Sequence, residues 1–279
     1  MTELGAPKTY KLYSGGAFIR SESGRVYPVA GVDGGTVRVA QASRKDLRDA
    51  VVKARAAQSG WGAATPYLRG QILYRIAEML DGRRDQFVAE LENGGVDTYD
   101  AAVEVDDAVD TWVYWAGWTD KLTQVLGGVN PVAGPFLNVS TPEPTGVVGV
   151  IAPAERPLAG LSALLAPVLC GGNTAVVLAS EASPFAPLTF GEVLATSDVP
   201  AGVANLLVGP VAELAPWLAD HHDVDALDIS GVVDTELAID LTVRSADNLK
   251  RVARTNGVRS PRTAGEFLEI KTVWHPARL

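Results

Sequence analysis

Apolar positions along this chain follow two rhythms. Up to about residue 122 the spacing is helical. Ser43 stands three residues before Asp46 in the pattern of a capping box, and Leu47, Val51, Ala54 and Ala57 then recur on one face up to Gly60. Thr65-Pro66 predicts a second helix start, with Leu68, Ile72, Ile76 and Leu80 as its apolar face. Two further helices are predicted around Arg83 to Leu91 and Thr98 to Leu122. Trp112, Trp115 and Trp118 lie three apart on the last of these, which suits a core or interface stripe better than a cofactor box.

From Gly146 the rhythm changes. Short runs rich in valine and isoleucine, Val147 to Ala152, Thr174 to Leu178, Ala204 to Val208 and Ala226 to Ile229, read as strands. Between them stand Pro157 to Cys170, Pro184 to Thr196 and Val211 to Ala219, each long enough for a right-handed crossover helix. Strands alternating with helices predict an α/β fold with a doubly wound parallel sheet. Beyond Gly265, Phe267, Glu269, Lys271 and Val273 alternate with Leu268, Ile270, Thr272 and Trp274, a strand whose pairing partner must lie elsewhere.

Composition narrows the class. The 279 residues carry 24 basic and 33 acidic side chains, net −9, and no basic run exceeds a pair, which argues against a nucleic-acid surface. One cysteine rules out an internal disulfide and makes the cytoplasm the expected location. Met1-Thr2-Glu3-Leu4-Gly5-Ala6-Pro7 lacks the basic-then-apolar pattern of a signal peptide. The longest apolar stretch, Pro157 to Cys170, falls short of the roughly 20 residues a bilayer span requires.

Ligands of doubly wound sheets sit outside the carboxyl ends of the strands, here after Ile151, Leu178, Val208 and Ile229. None of these loops holds a Gly-x-Gly-x-x-Gly fingerprint or a P-loop. Glu181, after Ser180, can accept hydrogen bonds from ribose hydroxyls or serve as a helix-start acid before Pro184. Ser230-Gly231 lets backbone approach a ligand, or forms a plain turn. His221-His222 and His275 are too few and too poorly spaced for a metal site. Cys170 follows the apolar run Leu161 to Leu169 and reads as a buried spacer rather than a nucleophile. No serine occupies a Gly-x-Ser-x-Gly elbow.

Several ordered segments resemble the aldehyde dehydrogenase superfamily. They are Glu143-Pro144-Thr145-Gly146-Val147-Val148-Gly149-Val150-Ile151, Leu165-Ala166-Pro167 through Cys170-Gly171-Gly172-Asn173-Thr174, Ser180-Glu181 with Pro184, and Val199-Pro200-Ala201-Gly202-Val203-Ala204-Asn205. Asp223-Val224-Asp225, Asn248-Leu249-Lys250-Arg251-Val252, the N-terminal Lys11-Leu12-Tyr13-Ser14-Gly15-Gly16 and Ser59-Gly60-Trp61 also fit. The resemblance implies a cofactor-type Rossmann domain over 1–135 and 146–262. It also implies an assembly element over 136–145 and 263–279, and a direct passage at Pro261 to the family's C-terminal tail, leaving out the half that carries the nucleophilic cysteine.

The departures fall on functional positions. The family's Pro-Trp-Asn-Phe-Pro, whose asparagine donates to the oxyanion, appears as Pro153-Ala154-Glu155-Arg156-Pro157. Its Lys-Pro-Ser-Glu appears as Leu178-Ala179-Ser180-Glu181, its phosphate-side Gly-Ser as Gly231-Val232, and its Glu-Leu-Gly-Gly, which carries the general base, as Thr255-Asn256-Gly257-Val258. A threonine is no base near neutral pH. No catalytic residue is expected, and NAD or NADP would be held only by a residual set, Pro153, Ser180, Glu181, Gly209 and Gly231. The assembly segments survive: Phe267 to Trp274 resembles the strand that pairs across the family's subunit interface, and Phe136 to Thr141 the hairpin of the same sheet. The expectation is an inactive structural or regulatory subunit that meets a full-length aldehyde dehydrogenase, or itself, through Phe136, Val139, Phe267, Ile270, Val273 and Trp274. The alternative is a stand-alone nucleotide-binding module or sensor. An enzyme that uses Glu155 in new chemistry is the weaker reading, because a carboxylate beside Arg156 is more often an ion pair.

Overall fold

The computed structural model describes residues 9–32 and 34–276, so Met1 to Pro7 lie outside the described residues. The first elements are two short ribbons. β1 (Leu12–Ser14) and β2 (Ala17–Ile19) turn at Gly15-Gly16, with φ of 65° and 77°, the sign that a two-residue primed turn demands at both positions. β3 (Val26–Ala30) and β4 (Thr36–Ala40) form a separate antiparallel pair. Helix α1 (Arg44–Ala63) starts at the expected capping box: the Ser43 hydroxyl accepts from the Asp46 N–H at 3.2 Å, and the Asp46 carboxylate accepts from the Ser43 N–H at 2.8 Å. Thr65 caps α2 (Pro66–Asp81), and α3 (Arg84–Asn93) and α4 (Thr98–Ala116) follow.

The helix predicted to reach Leu122 ends six residues early. Gly117 takes the C-cap, its N–H returning to the Val113 carbonyl at 3.1 Å, and Leu122 opens the separate α5 (Leu122–Leu126). Trp112 and Trp115 are fully buried and Trp118 packs against them, so the stripe belongs to the core. The Trp112 ring stacks on Phe190 at 5.6 Å and its Nε1 donates to Ser162 Oγ.

β5 (Gly128–Asn130) and β6 (Phe136–Pro144) precede the alternating half of the chain. There β7 (Val147–Ile151), α6 (Pro157–Cys170), β8 (Thr174–Ala179), α7 (Phe185–Ala195) and β9 (Ala204–Val208) come in turn. They are followed by α8 (Val211–Asp220), β10 (Ala226–Asp228), α9 (Thr235–Ser245), β11 (Arg251–Ala253), α10 (Pro261–Gly265) and β12 (Leu268–Pro276). The central sheet runs β11-β10-β7-β8-β9-β1-β2. Its first five strands are parallel, and β1 joins antiparallel through Tyr13 opposite Leu206. The expected parallel sheet is therefore mostly parallel, with a fifth parallel strand, β11, and an antiparallel margin. β7, β8 and β9 are buried along their whole length between helices on both faces, which is why their sequences read as continuous apolar runs. No helix among the described residues is long and apolar enough to cross a membrane.

The tail strand finds its partner in β6. Nine antiparallel residue pairs, from Leu268 opposite Pro144 to Pro276 opposite Phe136, complete a three-stranded sheet β12-β6-β5. Of the residues expected on its outer surface, Phe136, Ile270 and Trp274 are 43%, 52% and 56% exposed. Phe267 is a correction. It is fully buried, and its carbonyl accepts from Asn173 Nδ2 and the Thr145 N–H, so it roots β12 in the main core instead of presenting a contact.

Candidate functional site

In the parallel part of the sheet the strand order reverses between β7 and β10. The loops leaving their carboxyl ends border an open cleft of about 210 Å³ lined by Pro153, Gly160, Ala163, Ser230, Asn256 and Gly257. Beside it, fully buried, lies Asp228, the last residue of β10. Its carboxylate accepts from the Ser230 N–H at 2.8 Å, from the Ser230 hydroxyl and, at 2.5 Å, from the Thr255 hydroxyl. Ser230 Oγ in turn accepts from the Asn256 N–H at 3.0 Å. Burial pushes the Asp228 pKa up, against the hydrogen bonds from Ser230 and Thr255. Thr255 is thus a hydrogen-bond donor in a closed knot between β10 and β11.

Both helix starts at the reversal are already capped by carboxylates. Arg156 turns the chain into α6 with φ 51°. The buried Glu104 of α4 then accepts from the Leu158 N–H at 2.8 Å and the Ala159 N–H at 3.1 Å, while desolvation pushes its pKa up. At the start of α9, Asp234 accepts from the Glu236 and Leu237 N–H groups at 2.8 and 3.3 Å. Such N–H groups are what a helix start offers a phosphate. The ion pair expected within Glu155-Arg156 is not formed. Arg156 Nη2 reaches Asp107 Oδ2 at 2.6 Å instead, and Arg259 Nη2 reaches Asp107 Oδ1 at 3.1 Å and Thr111 Oγ1 at 2.9 Å. One α4 carboxylate so holds both loops that flank the cleft, while Glu155 is exposed.

The five residual-site residues do not form one cluster of side chains. Pro153 lines the cleft. Gly231 lies against the end of β7, its N–H bonded to the Ile151 carbonyl at 3.0 Å; a Cβ there would sit 2.4 Å from the Ala152 backbone, so close strand packing accounts for this glycine. Gly209 is backed by Leu214, 2.8 Å from where its Cβ would stand, at the end of β9. Ser180 Oγ accepts from the Ala182 N–H at 3.2 Å. Glu181 is exposed beyond β8, four residues ahead of α7 and outside its first turn, and its carbonyl accepts from the Tyr27 hydroxyl at 3.0 Å.

Cys170 is fully buried in the last turn of α6, and burial pushes its thiol up to about 12. His221 Nδ1 accepts from the Asp223 N–H at 3.2 Å, so that imidazole closes a turn. Sequence reasoning missed Asp228, Glu104 and Asp107. The first two had a signal: an acid inside the apolar run Ala226-Leu227-Asp228-Ile229, and an acid on the apolar face shared by Ala101, Val105 and Ala108.

Order and cleft together define a dinucleotide-type, doubly wound α/β protein. Residues 20–272 match the aldehyde dehydrogenase family, and the chain belongs to it. Human retinal dehydrogenase 2 is 34% identical over 263 residues, covering 91% of this chain and 50% of that protein. Mouse cytosolic 10-formyltetrahydrofolate dehydrogenase is 31% identical over 260 residues, 90% of this chain and 29% of its relative. Among solved structures, PnpE from Pseudomonas sp. WBC-3 superposes with a TM-score of 0.81 at 28% identity, covering 88% of this chain and 50% of that one. The NAD+ complex of aldehyde dehydrogenase from Bacillus cereus gives 0.81 at 26%, with 88% and 50% covered. The chain therefore spans half, or less, of the relatives it matches.

Proposed function

We propose that this chain is a non-catalytic member of the aldehyde dehydrogenase family. It acts in the cytoplasm as a structural or regulatory subunit, assembling with a full-length NAD(P)-dependent relative through the β12-β6-β5 sheet. The observation that carries the reading is Thr255. It stands where the resemblance expects a general base, and its hydroxyl donates to the buried Asp228. Glu155, at the position of the oxyanion donor, presents a carboxylate where a developing negative charge would need a hydrogen bond. Cys170 offers no thiolate. From β11 the chain reaches β12 through nothing larger than α10.

The residues present do not fit a bound dinucleotide. A phosphate would have to displace a carboxylate from either helix start, one of them the buried Glu104. A helix start returns only about 0.3–1 kcal/mol, and the N–H groups that would supply the rest are taken by Glu104 and Asp234. The purified protein, given NAD+ or NADP+ and a panel of aldehydes, is expected to reduce neither; turnover above the uncatalysed rate would refute the reading. The second reading, a nucleotide-binding module, draws on the exposed carboxylate of Glu181 and the open cleft. Heat on titration with NAD, NADP or ATP would favour it.

A further inference from the structure

We infer that residues 254–260, the connection from β11 to α10, form a strap that gates the cleft: it is hinged on Asp228 through Thr255, latched to α4 through Arg259, and swings aside when the latch breaks. The gate does not depend on the assembly role proposed above, since it uses no residue of β5, β6 or β12. Its first support is the way the strap is held down. Thr255 is the only buried residue of the seven, and Val258, the one apolar side chain among them, is 58% exposed. The ties are polar. At the hinge the Thr255 hydroxyl donates to Asp228, the Asn256 N–H donates to Ser230 Oγ at 3.0 Å, and Arg254 Nη1 donates to the Val232 carbonyl at 3.3 Å. At the far end Arg259 Nη2 donates to the Asp107 carbonyl at 2.9 Å, to Asp107 Oδ1 at 3.1 Å and to Thr111 Oγ1 at 2.9 Å. Between these ends Asn256 and Gly257 line the cleft, and Gly257 bears on α6 so closely that a Cβ there would stand 2.6 Å from the Ala163 Cβ. A segment with little apolar burial, held by bonds near solvent, opens locally at far lower cost than the whole fold.

The second support is strain restrained by a single carboxylate. Among the described residues, Arg156, Asp198, Leu249 and Asn256 are the ones other than glycine with a left-handed backbone. Arg156, at φ 51°, and Asn256, at φ 50°, stand in the two loops that flank the cleft. Such a conformation is unfavourable for a residue with a side chain and persists where the surroundings hold it. Asp107 holds both loops, Oδ2 accepting from Arg156 and Oδ1 from Arg259. The Asp107 side chain is 42% exposed, so both ion pairs are weak and open to screening by salt. Two strained loops on one screened carboxylate have two arrangements. In the latched one, seen here, Asn256 and Gly257 lie over the carboxyl ends of β7 and β10; in the released one the strap turns about Thr255 and leaves those strand ends open.

Hydrogen–deuterium exchange read by mass spectrometry on the full chain tests the gate. Asp107→Ala is expected to raise exchange at the amides of 254–260 roughly tenfold, the range that two exposed ion pairs can supply, and to leave β7, β8 and β9 as slow as before. Asp110→Ala, an exposed carboxylate one turn further along α4, is expected to change nothing at the strap. Salt at about 1 M, where screening acts within roughly 3 Å, should speed the strap of the wild type and add little to D107A. Trypsin gives a second readout, cutting native D107A after Arg254 faster than the wild type. Should D107A fail to fold, Arg259→Gln leaves the Arg156–Asp107 pair in place and should speed exchange at 254–260 alone. Equal exchange at the strap in wild type and variants, or a rise spread evenly over the central sheet, overturns the inference. Either result leaves the proposed function standing, because assembly with a full-length relative is measured separately.

Discussion

Asp228 is a carboxylate that the fold must keep without water, and its measurable consequence is a pH dependence. Its folded pKa is raised above the ordinary 3.8. The native state therefore holds the proton more tightly than the unfolded chain, and the stability present below the unfolded value is lost as pH rises toward the folded one. Asp228→Asn removes that slope. In urea titrations from about pH 4 to about pH 8 the variant should gain on the wild type as pH rises and then level off; a difference constant in pH would show that the acid is not strained. For Cys170 the expected result is silence: a thiol-specific reagent leaves the native protein unlabelled and labels it once unfolded, and native labelling would contradict the burial. The two residues differ in how far their sequence spoke. Cys170 lies inside an apolar run and could be read from its neighbours. Asp228 depends on hydroxyls at positions 230 and 255, and the second comes from the loop after β11, 27 residues along the chain, which no local pattern discloses.

The α6 start shows the same contrast at the scale of elements. Pro157 to Cys170 could be bounded from proline and the apolar run alone, but the acceptor for its first N–H groups comes from 54 residues away. Glu104→Ala would strand two buried donors and should cost about 2–4 kcal/mol in unfolding free energy. Glu104→Gln keeps an oxygen there and should cost clearly less; equal losses would mean that the bonds do not matter. Strands β7 to β9 were legible because burial on both faces writes an unbroken apolar run. β1 and β2 were not: the Gly15-Gly16 signal is present, yet arms of three residues give period-two alternation nothing to show. The overshoot past Gly117 came from weighting tryptophan spacing above a single glycine, which costs a helix interior about 1 kcal/mol and here marks the cap.

For the whole molecule, alternation of strands and helices disclosed a doubly wound parallel sheet, while the strand order with its reversal between β7 and β10, the antiparallel margin and β11 came only with the structure. The pairing of the tail with β6 was implied by resemblance, since nothing within Leu268 to Pro276 names its neighbour. NAD, NADP and ATP at millimolar concentration are expected to give neither heat nor a thermal shift, because Glu104 and Asp234 already occupy the two helix starts. A shift of several degrees would restore the nucleotide-binding reading. Under the proposed function, this chain keeps its β12-β6-β5 sheet to meet a full-length relative. Native mass spectrometry of the tagged protein, purified gently from its own cells, tests it directly. The expected spectrum contains mixed assemblies of this chain with a full-length aldehyde dehydrogenase; one showing this chain only alone or with itself would contradict the claim.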